Sequence, residues 1–253
     1  MTPGTQVVGR VAAVLRVVSQ AMPEGIGTSE VARSAAIARP TAHRLLASLT
    51  THGFIDRDAR SGRWLLGPEI YLMGAVAAER YDVSEIAREH ITALAEATGE
   101  SAFLSARRGG ETVCLLRADG SFPIRSFVLY EGKRFPLGVA SAGLAILSFL
   151  PPEAQERYLA QARLQEEYGQ SHSPDALRER IAATRRFGYA VNPGLVVEGS
   201  WGMGAAVFGP SGQPSWALSL TGIESRFTAS RRPELGRLLL EHAHQLSQRL
   251  TGR

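Results

Sequence analysis

Cysteine occurs once in the 253 residues, at Cys114, so the chain can close no disulfide within itself and offers no paired-thiolate metal knuckle. Taken alone, Cys114 reads as a buried, inert thiol. Lysine is just as scarce: Lys133 stands alone among 28 basic residues, the bias that GC-rich coding produces. Long apolar runs are missing too. None approaches the ~18 residues that cross a bilayer, so no membrane span is expected. The opening stretch MTPGTQVVGRVAAVLRVVSQA lacks a basic leader, and Arg10 and Arg16 interrupt its apolar run. It reads as the first helix of a cytoplasmic protein rather than a targeting peptide. What remains is ordinary for a soluble protein, at 44% hydrophobic and 21% charged, and the length is comfortable for two domains with buried cores.

Charge is distributed unevenly. Residues 1–66 hold eight arginines (10, 16, 33, 39, 44, 57, 60 and 63) against Glu24, Glu30, Asp56 and Asp58. The balance of +4 equals the net charge of the whole chain, so residues 67–253 sum to zero. A basic first quarter on a neutral remainder is the pattern expected where one domain meets a polyanion.

Helical spacing of Val, Ala and Leu predicts a first helix from Val7 to Ala21, ended near Pro23 and Gly25. Thr28 offers an N-cap for a short second helix, TSEVARSA, with Glu30 in its positive first turn. Three residues later Pro40 suits the first turn of a third helix that runs to about Thr51, before Gly53. Projected at 100° per residue, Ala42, Leu45, Leu46 and Leu49 share one face and Pro40, Arg44, Ala47 and Thr51 the opposite one. Two strand-like runs, FIDR and RWLLG, follow around the turn DARSG. Helix, short helix, tight turn, longer helix and basic hairpin together predict a winged helix-turn-helix, with residues 39–51 as the recognition surface for double-stranded DNA.

From Gly67 the chain continues as one or two helices, with Pro68 near the first start and Gly99 after the last turn. ESAFLSARRGGETVCLLRAD then predicts a hairpin turning at Arg108, Gly109 and Gly110. Further helices are expected over 140–150, over PPEAQERYLAQAR, and from Ser173 as N-cap through Pro174 to Arg186 and Gly188. MGAAVFGPSGQPSWALSLTG gives two strands around Pro-Ser-Gly, and residues 233–252 a closing amphipathic helix. The fold class is α+β with an antiparallel sheet, without internal repeats.

Enzyme-like strings do not survive inspection. In GVASAG, Gly138 and Ser141 lie three apart where a nucleophile elbow requires two. GSWGMG has its glycines in the wrong order for a dinucleotide loop. His242 and His244, two apart on a helix, point to different faces and make no clean metal pair. The expectation is a protein that is not an enzyme and uses no cofactor or metal.

The motifs resemble the isocitrate lyase regulator (IclR) family of bacterial transcription factors over nearly the whole chain. ARPTAHRLLASLTTHGF and WLLGPEIYLMG carry the resemblance at the N-terminus. GESAFLSARRGGE, GKRFPLGVASAGLAILSFLPP, RRFGYAVN and EGSWGMGAAVFGPSGQPSWALSLTG carry it in the same order beyond. The resemblance implies a winged helix-turn-helix over 1–66, a linker helix used in dimerisation over 67–82, and a GAF-like effector-binding domain over 83–253. It also implies a homodimer or homotetramer on operator DNA, controlled by a small carboxylic acid. The family's polar effector contacts fall on Asn192, Gly202, Ser219 and Thr221, with backbone amides of Ser141 and Ala142. The physics is sensible, because helix N-terminal amides receive carboxylates and alternate strand residues share a face.

This chain departs from the family pattern at four places. Gly138 replaces a usual His, Leu144 a usual Lys and Asn192 a common Asp, and Gly202 stands where some members have Cys. Without that Asp an anionic effector meets less repulsion, and Gly202 is expected to leave extra room for a larger, aromatic acid. Ile124 and Phe127 are candidates for apolar lining.

On the nucleic-acid side Arg44 is the expected central contact. Arg39, Pro40 and Thr41 sit at the helix tip, suited to phosphate oxygens, with Thr28 and Ser48 as further hydroxyl donors. His43 is open between packing and DNA contact. Arg57, Arg60 and Arg63 on the wing are either solubilising charges or contacts to the DNA backbone or minor groove. Regulation as a repressor is the first reading and activation the second. The rival from another class is a sensor or protein-interaction module that binds no DNA by itself.

Overall fold

The computed structural model describes residues 3–78 and 83–252. The chain divides into two compact units, Met1–Tyr81 and Asp82–Arg253.

The first unit begins with helix α1 (Pro3–Gln20), followed by α2 (Thr28–Ser34) and α3 (Arg39–Thr51). Their apolar faces meet in one core, where Val14 and Val18 of α1 pack with Val31 and with Ala42, Leu46 and Leu49 of α3. Between α2 and α3 the chain turns tightly enough to hold Ala36 at φ 51°, a left-handed conformation that costs alanine ~1 kcal/mol. Strands β1 (Ile55–Arg57) and β2 (Trp64–Leu66) pair antiparallel and form the wing, which Ile26 extends by bridging to Trp64. Helix α4 (Pro68–Ala78) follows. The expected linker helix reached residue 82, and positions 79–82 of it lie outside the described residues.

Thr28 is not the cap of α2. Gly27 occupies that position, its N–H donating to the Glu30 carboxylate at 3.0 Å. The Thr28 hydroxyl instead accepts a hydrogen bond from the Trp64 indole N–H at 2.9 Å and ties α2 to the wing.

The second unit opens with α5 (Val83–Thr98), then the hairpin β3 (Ser101–Arg108) and β4 (Glu111–Ala118), and the short β5 (Arg134–Pro136). Four helices follow: α6 (Ser141–Ser148), α7 (Pro152–Gln161), α8 (Leu164–Tyr168) and α9 (Pro174–Phe187). Ser173 caps α9, accepting from the Ala176 N–H at 3.3 Å, and Gly188 ends it in the left-handed conformation. Strands β6 (Tyr189–Pro193), β7 (Ser200–Phe208) and β8 (Pro214–Ile223) and helix α10 (Arg232–Thr251) complete the unit. The six strands form one antiparallel sheet in the order β5-β4-β3-β8-β7-β6.

Strand parity sorts side chains to the two faces. Ala102, Leu104, Met203, Ala205, Leu218 and Leu220 pack with Leu94 of α5 and Leu235, Leu239 and Leu246 of α10. On the other face Phe103, Cys114, Ala190, Ala206 and Ala217 meet Ala145, Ile146 and Leu147 of α6 and Leu177 and Ile181 of α9. The sheet is thus the middle of three layers. One polar staple lies at its end. Glu100, 2% exposed, receives Arg226 at 2.7 Å and Arg231 at 2.6 Å, tying the end of α5 to the segment after β8.

Candidate functional site

Two surfaces carry the residues singled out by the sequence, one in each unit. In the first, α3 buries Ala42, Leu46 and Leu49 and leaves Arg39, Pro40, His43, Arg44, Ala47, Ser48 and Thr51 exposed. Thr28, Arg39, Pro40, His43 and Arg44 line one open cleft. The Arg39 Nε donates to Ser29 Oγ at 3.1 Å, which braces the arginine across the turn. Arg44 has no hydrogen-bond or ion-pair partner among the described residues, so its five donors are all available. Thr41 is half-buried.

The wing is stiffened at its tip by Asp58, whose carboxylate accepts from Ser61 N–H at 2.6 Å, Ser61 Oγ at 2.7 Å and Arg60 N–H at 3.1 Å. These bonds, the Ser61 N–H foremost, hold its carboxyl below the usual aspartate range. Arg60 is thereby presented at the tip. Arg57 donates to the Gly62 carbonyl at 3.2 Å and stacks over Trp64, and Arg63 donates to the Gly25 carbonyl at 2.9 Å. Both arginines therefore also hold the wing together.

The second unit contains a cavity, partly open to solvent, on the α6 side of the sheet. Ser141, Ala142, Asn192, Gly202, Ser219 and Thr221 all line it. Ser219 and Thr221 are alternate residues of β8, facing Gly204 and Gly202 across the β7 ladder. Their hydroxyl oxygens are buried and have no hydrogen-bond partner among the described residues. Orphan buried hydroxyls cost ~1–3 kcal/mol each, so the arrangement is one that a polar ligand would relieve.

The amides of Ser141 and Ala142 stand in the first turn of α6, where no intrahelical partner exists and the helix dipole is positive. This helix end reaches the sheet because β7 carries glycine beneath it. A Cβ on Gly204 would lie 2.9 Å from the Ser141 carbonyl carbon and 3.0 Å from the Ala142 nitrogen. The extra room expected at Gly202 is limited: a Cβ there would lie 3.1 Å from the Ser141 hydroxyl, a tight contact, so the glycine lets that hydroxyl come close to β7.

Asn192 faces the cavity but is bound at both ends of its amide. Its Nδ2 donates to the Val139 carbonyl at 2.7 Å, and its Oδ1 accepts from the Leu195 N–H at 2.9 Å. It braces the entry to α6 against the β6–β7 turn, with one amide hydrogen left over.

Ile124 and Phe127 do not line the cavity. They are 58% and 72% exposed, and Phe127 lies beneath the Arg117 guanidinium. The apolar walls come instead from Val128, Leu129, Phe135, Val196 and Trp201. Residues 119–133 run without a helix or strand, so parity could not indicate which of their side chains turn inward. Ser105, Thr112 and Ser200 also line the cavity and were not expected. Ser105 shares the parity of buried Phe103, a signal that becomes usable only once the sheet register is known. Cys114 is buried and its thiol pushed up to about 12 by desolvation, which keeps it protonated and unreactive.

Residues 7–59 match the IclR helix-turn-helix domain, and residues 75–248 match the bacterial transcriptional regulator IclR C-terminal domain. The chain belongs to the IclR family. It is 30% identical over 223 residues to the HTH-type transcriptional regulator KipR of Bacillus subtilis, covering 88% of each chain. It is 25% identical over 228 residues to the transcriptional repressor IclR of Escherichia coli, covering 88% of this chain and 82% of that one. Among solved structures, an IclR homologue from Microbacterium hydrocarbonoxydans complexed with 4-hydroxybenzoate superposes with a TM-score of 0.78. That match has 23% identity over 97% of this chain and 99% of the other. As an IclR-family member the protein is a DNA-binding transcriptional regulator with a C-terminal effector-binding domain, and it is not an enzyme.

Proposed function

We propose that this IclR-family regulator represses transcription and that a small carboxylic acid, held in the cavity of the second unit, controls its grip on operator DNA. The observation that supports the effector class is the convergence of two orphan hydroxyls, on Ser219 and Thr221, with the free amides at the start of α6. Among the described residues no charged side chain lines the cavity, so a carboxylate would be stabilised by dipoles and hydroxyls. The relative bound to 4-hydroxybenzoate supports an aromatic acid in this role. Repression is the reading supported by the Escherichia coli relatives IclR and AllR, both transcriptional repressors.

On DNA, α3 enters the major groove with Arg44 at its centre. Arg39, Pro40, Thr41, His43 and Ser48 lie at its flanks and tip, Thr28 beside it in the same cleft, and Arg57, Arg60 and Arg63 reach backbone or minor groove from the wing. The protein acts in the cytoplasm as a homodimer or homotetramer. Tyr71, Leu72, Met73 and Val76 of α4 are all more than half exposed, and so are Val7 and Val8 of α1. A helix this apolar around its circumference needs a covering partner, and a second copy would set half-sites about one ~10 bp turn, or a multiple of it, apart.

The test is Arg44→Ala, measured by fluorescence anisotropy on a duplex from upstream of the gene. The expected outcome is a loss of 1–3 kcal/mol in affinity, about 5- to 150-fold, with the fold intact by circular dichroism. Unchanged affinity and sequence preference would remove Arg44 from the interface. Failure of the wild type to bind any such duplex at low salt would favour the reading as a sensor that binds no DNA alone.

A further inference from the structure

The cavity has a second polar end. Ser105 of β3 is 1% exposed, lines the cavity, and forms no side-chain hydrogen bond among the described residues. It lies opposite Ala217 of β8, while Phe103 lies opposite Ser219 and Ser101 opposite Thr221. Ser105 is therefore one strand across and two residues along from Ser219, on the side away from Thr221. Strand geometry makes this about 8 Å between Cα atoms, from ~3.3 Å of rise per residue and ~4.8 Å between strands.

Val128, Leu129 and Phe135 supply apolar wall to the same cavity. Thr112 also lines it. Its hydroxyl donates to the Phe135 carbonyl at 3.3 Å, which leaves its oxygen able to accept. The lining thus carries hydroxyls on Ser219 and Thr221 and, about 8 Å from Ser219, on Ser105, together with apolar side chains, and the described lining residues include no charged one. A second carboxylate beside Ser105 would be buried without a cation, at a cost that a neutral hydroxyl avoids.

Resting on the carboxylate site proposed above, we infer that the effector is a monoanion with a neutral hydrogen-bonding group at its opposite end, and that Ser105 reads that group. The spacing suits one aromatic ring carrying the two groups across from each other. Ser105 is then a specificity-determining residue, and Ser219 and Thr221 are affinity-determining ones.

Calorimetry on the full chain with benzoate, 4-hydroxybenzoate and terephthalate tests this. Wild type is expected to bind 4-hydroxybenzoate about fivefold or more tighter than benzoate, and terephthalate no better than benzoate. Ser105→Ala should bring the ratio of 4-hydroxybenzoate to benzoate near one. Ser219→Ala should weaken both monoacids alike. If wild type binds both monoacids equally, if Ser105→Ala keeps the ratio, or if terephthalate binds tightest, Ser105 does not read a neutral group and the carboxylate site stands. If wild type binds neither monoacid, the carboxylate site and this inference fall together.

Discussion

Ser219 is fully buried, yet its hydroxyl has no partner among the described residues. Such a group destabilises the ligand-free protein, and the proposed acid would supply the missing partner. Ser219→Ala is therefore expected to raise the stability of the ligand-free protein by about 1 kcal/mol in urea unfolding. The same change should weaken acid binding by about tenfold, since a hydrogen bond to a charged group is lost. Reduced stability together with unchanged ligand affinity would show Ser219 to be an ordinary core residue. Individual residues were legible in the sequence to the extent that local chemistry defines them. Ser173, Pro174 and Gly188 bracket α9 as expected because a cap needs only its own turn. Thr28 was misread because Gly27 and Glu30 satisfy the same helix end, leaving the threonine free for a tryptophan 36 residues away.

At the scale of elements, α5 and α10 are held together partly by polar contacts. His90 and His242 face each other with Nδ1 atoms 3.1 Å apart, and Arg249 reaches Glu89 at 2.8 Å beside them. Desolvation lowers both histidines from their usual value, and the neighbouring imidazole and Arg249 lower His90 further, against a small opposing effect of Glu89. Glu241 opposes the shift of His242 in the same way. The folded protein therefore binds protons less readily than the unfolded chain. Stability is full above the unfolded histidine value of ~6.5 and declines as pH falls through and below it. Urea unfolding at pH 5.5 should give a lower stability than at pH 7.5, and His242→Leu should reduce that loss. A flat profile would contradict the pairing. Buried His172, lowered chiefly by desolvation, contributes in the same direction. Elements were legible where one periodicity spans enough residues. The face of α3 follows from 13 residues of consistent spacing. The three residues of β5 and the five of α8 have no such signal, since β5 exists by pairing with β4.

For the whole molecule, the division of labour follows the division of charge: all of the net +4 lies in residues 1–66, while the cavity of the second unit is lined without charge. Two units in one chain become a switch only if the acid has different affinities for DNA-competent and DNA-incompetent arrangements. In the proposed function, assembly into a dimer or tetramer is part of that arrangement. Val76→Glu, on the exposed apolar face of α4, is expected to shift the protein toward monomer in light scattering and to lower operator affinity at least tenfold, as one half-site contact is lost. A dimer unchanged by this substitution would place the interface elsewhere. The sequence displayed the charge split and the two-domain order. The family resemblance pointed to six positions of the cavity, but not to the rest of its wall, which is assembled from β3, β4, β5, β6, β7, β8 and α6 through pairings that only the folded sheet reveals.

The central claim, that acid bound behind Ser219 and Thr221 governs the hold on DNA, is tested most directly by titrating the operator duplex with and without a saturating acid that calorimetry has shown to bind. The account predicts a shift of at least fivefold in operator affinity for the wild type, and little shift for Ser219→Ala at the same acid concentration. An acid that fills the cavity yet leaves the wild-type isotherm unmoved, or one that moves both proteins equally, would contradict it.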